Sequence, residues 1–137
     1  RVRLGWGYVA VGDLASAERE FAAAEEISPQ SRSAVSALGY VAARRGDEEQ
    51  ARGLLAALLS AADSTDDPSH VAIVYVGLRQ REESLEWLER TVQRTRVLHG
   101  RPPWGLHAPI YDWLRDDPRF RRLEQEVEAT SLGGAEG

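Results

Sequence analysis

Hydrophobic residues recur every three or four positions through most of the chain, and this spacing is typical of amphipathic helices. The stripe formed by Leu14, Ala17, Phe21 and Ala24 is a clear example, because charged residues lie mostly on the other sides of the same helix. The pattern is interrupted at Gly-Asp pairs, at prolines and in polar stretches, where helices end. It predicts helices over residues 1–11, 14–27, 31–45, 48–62, 68–78, 82–98, 109–115 and 118–129.

The turn between the first two predicted helices occurs again later in the chain. Residues 12–17 read Gly-Asp-Leu-Ala-Ser-Ala and residues 46–51 read Gly-Asp-Glu-Glu-Gln-Ala, at an offset of 34 positions. Glycine suits the left-handed residue that ends one helix, and aspartate caps the next, so both copies predict a helical hairpin. A third unit has Arg79 where the glycine is expected, and we expect a turn of a different kind there.

Repetition at this period is typical of a helical solenoid, in which similar helix pairs stack on one another. The predicted fold class is all-α, an α-α superhelix of about three helix pairs with a C-terminal capping segment. The predicted parts are the repeats over 1–98, in units 1–30, 31–65 and 66–98, a loop with capping helices over 99–129, and a disordered tail over 130–137.

The apolar face of each predicted helix gives a set of inward-facing side chains. Gly5 lies inside the first helix, where glycine lowers stability by about 1 kcal/mol relative to alanine, so we expect a neighbouring helix to approach closely there. The predicted inward positions are Leu4, Tyr8, Val11, Leu14, Ala17, Phe21, Ala24, Ala51, Leu54, Leu55, Leu58, Leu59, Val71, Val74, Tyr75, Leu78, Leu85, Leu88, Val92, Phe120, Leu123 and Val127.

The C-terminal segment combines aromatic residues with charged ones, and we expect it to cover the end of the last helix pair. The acidic face of the sixth helix is interpreted as an ordinary solvated surface. The aromatic residues of the C-terminal segment are Trp104, Tyr111, Trp113 and Phe120. The charged residues expected to fix the tail helix on the last pair are Asp112, Arg115, Asp117 and Arg119. The acidic face of the sixth helix consists of Glu82, Glu83, Glu86 and Glu89.

Composition narrows the possible functions. Of the 137 residues, 42% are hydrophobic and 28% are charged, with a net charge of −5 and no basic tract, which argues against nucleic acid as the main ligand. Cysteine is absent, so disulfides and thiolate metal sites are excluded. No apolar run approaches the ~18 residues of a membrane span. Without a secretory signal pattern we expect a cytoplasmic location, and without methionine we expect a piece of a longer protein.

The three units resemble the tetratricopeptide repeat over about residues 1–98. The residues that match the family pattern are Leu4, Gly5, Tyr8, Gly12, Ala17, Phe21, Ala24 and Pro29 in the first unit, Leu38, Gly39, Gly46 and Ala51 in the second, and Tyr75 and Leu88 in the third. The resemblance implies right-handed stacking of helix pairs around a concave groove that binds an extended or helical peptide.

A second resemblance concerns the segment from Pro109 to Phe120. Its Leu-Arg-Asp-Asp-Pro-Arg-Phe run is similar to the closing segment of bacterial multidomain proteins that end in such repeats. Those proteins carry an N-terminal winged-helix, nucleotide cyclase or Ser/Thr kinase domain. The resemblance implies that this chain is the regulatory C-terminal part of a signalling or transcription protein.

The family's groove is lined by the first helix of each pair, and we expect the side chains off its packing stripe to face a partner. By register these are Arg3, Trp6, Ala10, Ser36, Ala37, Tyr40, Arg44, His70, Ile73 and Gly77. Trp6, Tyr40 and Arg44 are of the types that dominate binding hot spots. Alternatively, Trp6 packs on a preceding repeat that this sequence does not contain, and Tyr40 only covers the groove floor. Neither Asn nor Lys is present, so the groups that clamp a C-terminal carboxylate in some family members are missing.

The leading hypothesis is a non-catalytic protein-protein interaction module that binds a protein or peptide partner, with no direct nucleic-acid contact and no membrane association. Self-association through the Trp6 side of the first pair is the alternative. No nucleophile motif or phosphate-binding loop is present, and His70, His99 and His107 match no zinc spacing. We therefore expect no catalytic residue, cofactor or metal.

Overall fold

The computed structural model describes residues 2–29, 31–61, 68–98 and 109–136, and all regular secondary structure in these ranges is helical. The all-helical prediction is confirmed for these residues. None of their helices combines the length and the apolar character needed to cross a bilayer. The elements are α1 (Val2–Ala10), α2 (Leu14–Ile27), α3 (Arg32–Arg44), α4 (Glu48–Ala61), α5 (Ser69–Leu78), α6 (Arg81–Leu98), a 3₁₀ helix (Pro109–Leu114), called the 3₁₀ segment below, and α7 (Pro118–Glu136).

The last helix, α7, is longer than the sequence pattern predicts. The apolar stripe ends near residue 129 and predicts a disordered tail over 130–137, whereas the helix continues to Glu136. An established helix gains a backbone hydrogen bond for each residue added, so it can extend beyond its apolar stripe. The predicted loop over 99–108 lies outside the described residues.

The two helices of each pair are joined by the same turn. In each copy the N–H of one left-handed residue donates to the carbonyl three residues before it, and the next N–H donates to the carbonyl five residues before it. The left-handed residues are Gly12 at φ 84°, Gly46 at φ 90° and Arg79 at φ 57°. The expectation of a different turn in the third unit is wrong, because Arg79 adopts the backbone conformation that glycine adopts in the other two.

Aspartate caps the second helix in the first two pairs. The Asp13 carboxylate accepts a hydrogen bond from the Ser16 N–H at 3.1 Å, and the Asp47 carboxylate accepts one from the Gln50 N–H at 3.1 Å. Each carboxylate thus satisfies one of the N–H groups that a helix leaves unpaired at its start. These bonds confirm the capping role predicted for the Gly-Asp turn.

Glycines allow neighbouring helices to approach closely. A Cβ atom at Gly5 would lie 2.3 Å from the ring of Phe21, so α1 and α2 pack at a distance that no larger residue at position 5 would permit. A Cβ atom at Gly77 would lie 3.1 Å from the backbone of Tyr40, which brings α5 against α3. The close approach predicted at Gly5 is confirmed, and α1, α3 and α5 contact one another in chain order.

Only part of the apolar stripe predicted for the first helix faces the core. Tyr8 packs against the buried cluster as predicted, together with Val2, Trp6 and Val9, whereas Leu4 and Val11 are 53% and 78% exposed. The contact at Gly5 fixes this rotation, because Gly5 must face Phe21 of α2. Leu4 consequently lies on a side of α1 that points away from the core, and Val11 lies in the turn directly after α1.

The C-terminal segment packs on the last helix pair through apolar contacts and ion pairs. Tyr111, Leu114, Phe120 and Leu123 belong to the same buried cluster as residues of α3, α5 and α6. Arg119 of α7 pairs with two carboxylates of α6, and these belong to the acidic face that was expected to be only solvated. The ion pairs between α6 and the start of α7 are Arg119–Glu82 at 2.8 Å, Arg119–Glu89 at 3.1 Å and Arg81–Asp117 at 3.1 Å.

Candidate functional site

Trp6 and Tyr40, both predicted to face a partner, instead join α1 to α3. The Trp6 ring centroid lies 5.2 Å from that of Phe21 and 5.3 Å from that of Tyr40, at tilted angles that favour aromatic contact. Trp6 is half-buried in this cluster and Tyr40 is buried. Tyr40 therefore covers the floor between α1, α3 and α5, which is the second of the two interpretations open for it.

Ile73 does not face a groove. It is 1% exposed and belongs to the buried cluster that also contains Tyr111 and Phe120, so its side chain is not presented at the surface. Ser36, Ala37 and Gly77, the other inner-helix positions, are also buried. The register of α5 alone could not show this, because the cluster that contains Ile73 includes residues from distant parts of the chain.

A cavity of about 330 Å³ lies where the C-terminal ends of α1, α3 and α5 meet the 3₁₀ segment. Its volume is within the range of small ligand sites. Of the predicted site residues, Tyr40 and Arg44 line it, whereas Arg3 and His70 lie elsewhere on α1 and α5. The residues that line it are Val9, Gly12, Leu14, Tyr40, Arg44, Val76, Arg79, Pro109, Ile110, Asp112 and Trp113.

Arg44 and Arg79 bring two positive charges to this cavity. Arg44 ends α3 and is exposed, and Arg79, also exposed, occupies the left-handed position after α5. Among the ion pairs between described residues, none includes either arginine. The Arg79 guanidinium lies 5.8 Å from the centroid of the Trp113 ring, within cation–π distance.

The phenol of Tyr40 lies close enough to both arginines to be affected by their charges. Burial raises the pKa of Tyr40 above its usual value, and the positive charges of Arg44 and Arg79 partly oppose that effect. The phenol therefore stays protonated at neutral pH and keeps an O–H group that can donate a hydrogen bond. The site thus offers a hydrogen-bond donor beside two cations.

One carboxylate also lines the cavity. Asp112 accepts a hydrogen bond from Nε of Arg115 at 2.8 Å, so its charge is already paired within the C-terminal segment. The positive charge of Arg44 and Arg79 therefore exceeds the negative charge at the cavity wall.

Sequence reasoning missed Arg79 and Trp113 as site residues, although it singled out each for another reason. Arg79 stood out as the residue that replaces the turn glycine, and Trp113 as an aromatic residue of the capping segment. The replacement of a turn glycine by a long cationic side chain was the available signal. Nothing in the sequence showed that the 3₁₀ segment returns to the turn after α5.

The arginine, tyrosine and tryptophan side chains at this cavity can bind a ligand. In the part of the chain that the structure describes, no three His, Asp or Glu residues are placed to hold a metal ion. His99 and His107 lie outside that part. Comparisons of the chain with protein-family models, with curated proteins and with solved structures find no match. The tetratricopeptide assignment therefore rests on the sequence pattern.

Proposed function

We propose that this chain is a non-catalytic protein-interaction module of tetratricopeptide type, in which stacked helix pairs bind a peptide or partner segment. Three copies of one turn, at Gly12, Gly46 and Arg79, support the repeat. The ordered contacts of α1 with α3 and of α3 with α5 are those that stacking of helix pairs requires. In this proposal the partner lies along the side where Arg44 is exposed to solvent.

The observation that carries the proposal is the composition of the cavity at the end of this surface. Tyr, Trp and Arg side chains dominate binding hot spots, and the cavity brings Tyr40, Trp113, Arg44 and Arg79 together. A concave site of this size can hold one or two side chains of a partner.

A peptide-display selection against the immobilised protein tests the proposal. We expect selected peptides to bind in solution by calorimetry, and Arg44→Ala or Trp113→Ala to weaken them about tenfold or more, as at a hot spot. The matched control is Arg52→Ala, which removes an exposed arginine from α4, away from the cavity. A selection that yields no binder, or binders that both variants retain at full affinity, contradicts the proposal.

The likeness of the segment Pro109–Phe120 to closing segments of bacterial regulators supports a regulatory setting. We propose that the module acts in the cytoplasm as the partner-sensing part of a larger signalling or transcription protein. The sequence encoded around this segment in the intact protein tests the idea, which predicts a winged-helix, cyclase or kinase domain upstream.

Self-association is a second candidate function, supported by the exposure of Leu4 on one side of α1 and of Val11 directly after that helix. Neighbouring exposed apolar side chains are common at protein interfaces. The Trp6 ring, which was expected to mediate this contact, packs on Phe21. Sedimentation velocity over a range of concentrations tests this candidate function. If the chain self-associates through this side, the dimer should dissociate in the double variant Leu4→Ser and Val11→Ser. A native chain that stays monomeric at all concentrations excludes self-association.

A further inference from the structure

Arg79 occupies a backbone position that glycine occupies in the other two copies of the turn. All three residues have positive φ and make the same pair of backbone hydrogen bonds. An L-residue with a side chain is strained in this conformation, because its Cβ atom lies too close to the backbone, and glycine is not. Strained residues of this kind cluster at functional sites, so we expect the arginine at this position to have a role that glycine could not fill.

The Arg79 side chain is directed to the cavity described above. It shares that cavity with Arg44 from the preceding pair and with the indole of Trp113. The two arginines come from different helix pairs, and Tyr40 lies under the influence of both charges. The cavity is thus lined by two arginines and by a tyrosine that both of their charges affect.

Six other arginines of the described residues form ion pairs with acids. Arg45 pairs with Glu18, and Arg52, Arg81, Arg90, Arg115 and Arg119 each pair with an Asp or Glu. Arg44 and Arg79 have no such partner among the described residues, although Asp112 lines the same cavity; its carboxylate is held by Arg115.

We propose that this cavity binds an oxyanion, either a carboxylate or a phosphate, carried by a side chain of the bound partner segment. The guanidinium group presents several N–H donors in a planar fork that fits both anions, and charge-assisted bonds of this type are among the strongest in proteins. In this proposal Arg79 occupies a glycine position because its guanidinium is the second group that donates hydrogen bonds to the anion. The inference rests on the proposed function, because it names the group by which a partner is recognised.

The substitution Arg79→Gly separates binding from folding. Glycine fits the positive φ, so we expect the melting temperature to stay the same or rise. The anion loses one charge-assisted partner, and we expect its affinity to fall about tenfold or more. Titrations of ¹⁵N-labelled protein with inorganic phosphate and with N-acetylglutamate, at constant ionic strength, follow the Nε–Hε signals of the arginines through saturation. Whichever anion saturates at lower concentration identifies the source of the oxyanion.

Two control variants accompany the Arg79→Gly experiment. Gly46→Ala places a side chain at the equivalent position of the second turn, where open space surrounds it, so it should lower the melting temperature through backbone strain alone and leave anion binding unchanged. Arg52→Gln removes an exposed arginine that pairs with Glu48, and it should leave anion binding unchanged. A melting temperature that falls in Arg79→Gly shows that Arg79 serves the fold, and overturns the inference.

The remaining outcomes are also decisive. The inference is overturned if neither anion gives a saturable shift of the Arg44 and Arg79 signals, or if Arg79→Gly binds the anion as tightly as the native chain. Displayed peptides that bind without an acidic or phosphorylated residue would overturn it while leaving the interaction function intact. Saturable binding of free phosphate or glutamate with no peptide binder would support the oxyanion site while rejecting the interaction function.

Discussion

The N-terminal and C-terminal ends of the chain bury very different amounts of apolar surface. Leu4 in α1 and Val11 directly after it are 53% and 78% exposed. At the other end, Tyr111, Leu114 and Phe120 are at most 2% exposed. The difference shows that one side of α1 stays uncovered by the described residues, whereas the C-terminal segment is buried in the main cluster.

The covered end is also fixed by charge. Arg119 pairs with Glu82 and Glu89 of α6, and Asp117 pairs with Arg81. Ion pairs between partly exposed residues are each worth ~1 kcal/mol or less, so they set the direction in which α7 packs more than they hold it in place. The apolar contacts of Phe120 and its neighbours carry most of the stability of this end.

The largest expected effect is that of Phe120→Ala at the covered end. Phe120 is fully buried and its ring centroid lies 5.9 Å from that of Tyr111, so truncation leaves a cavity in the main core. We expect a loss of about 3–5 kcal/mol in the free energy of unfolding. Denaturant unfolding followed by circular dichroism measures it.

Leu4→Ala at the bare end is the matched control. Leu4 already contacts solvent over half its surface, so we expect its truncation to change the free energy of unfolding by about 0.5 kcal/mol or less. Equal losses at Phe120 and Leu4 would show that the exposed face of α1 is covered in solution, and the contrast between the ends would fail.

An intermediate effect is expected at Gly5, the contact that orients α1 in the bare pair. Alanine at this position would place Cβ 2.3 Å from the Phe21 ring, which must shift, and overpacking of this kind costs about 1–3 kcal/mol. Gly7 lies in the same helix, and a Cβ atom added there would meet no neighbouring atom within 4 Å, so Gly7→Ala should instead stabilise by about 0.5–1 kcal/mol. Thermal unfolding of both variants checks the difference, and the same sign for both would show that the helix packing at Gly5 is looser than described.

Features that depend on neighbours in the sequence could be predicted. The Gly-Asp turns at Gly12 and Gly46, the cap at Asp13 and the close approach at Gly5 each follow from the local properties of one or two residue types. Even the third turn could be located by its offset, although its conformation could not be inferred, because Arg79 is an unfavourable choice for positive φ.

Features that depend on how distant segments meet could not be predicted. Ile73 lies on the face of α5 that was expected to line a groove, and it is buried in a cluster that also contains residues of the C-terminal segment. Part of the predicted stripe of α1 was also mistaken, since the register allowed several apolar stripes and only the Phe21 contact selects one. Of the ten residues expected to face a partner, Tyr40 and Arg44 line the cavity, and the other cationic residue, Arg79, comes from a turn.

The smallest effects are expected from two aspartates that begin helices near opposite ends of the chain. The side-chain and backbone hydrogen bonds of Ser16 lower the pKa of Asp13 below its usual value. The backbone N–H of Arg119, and then the side chain of Arg81, lower the pKa of Asp117. Because both folded pKa values lie below the unfolded ones, the stabilisation is present above the unfolded pKa of about 4 and is lost as the pH falls through the folded values.

Asp13→Asn and Asp117→Asn test whether the charge of the aspartate contributes differently to stability at the two helix starts. Asparagine keeps an oxygen that can cap the helix, so each substitution removes mainly the charge. We expect both variants to melt slightly below the native chain at pH 7 and together with it well below pH 4, where the native carboxylates are protonated. Added salt should narrow the difference more for Asp117, because Arg81 lies 3.1 Å from it, than for Asp13, whose largest stabilising contacts are hydrogen bonds within one turn. Equal salt dependence at the two positions would mean that the ion pair between Arg81 and Asp117 contributes nothing to the stability of the covered end.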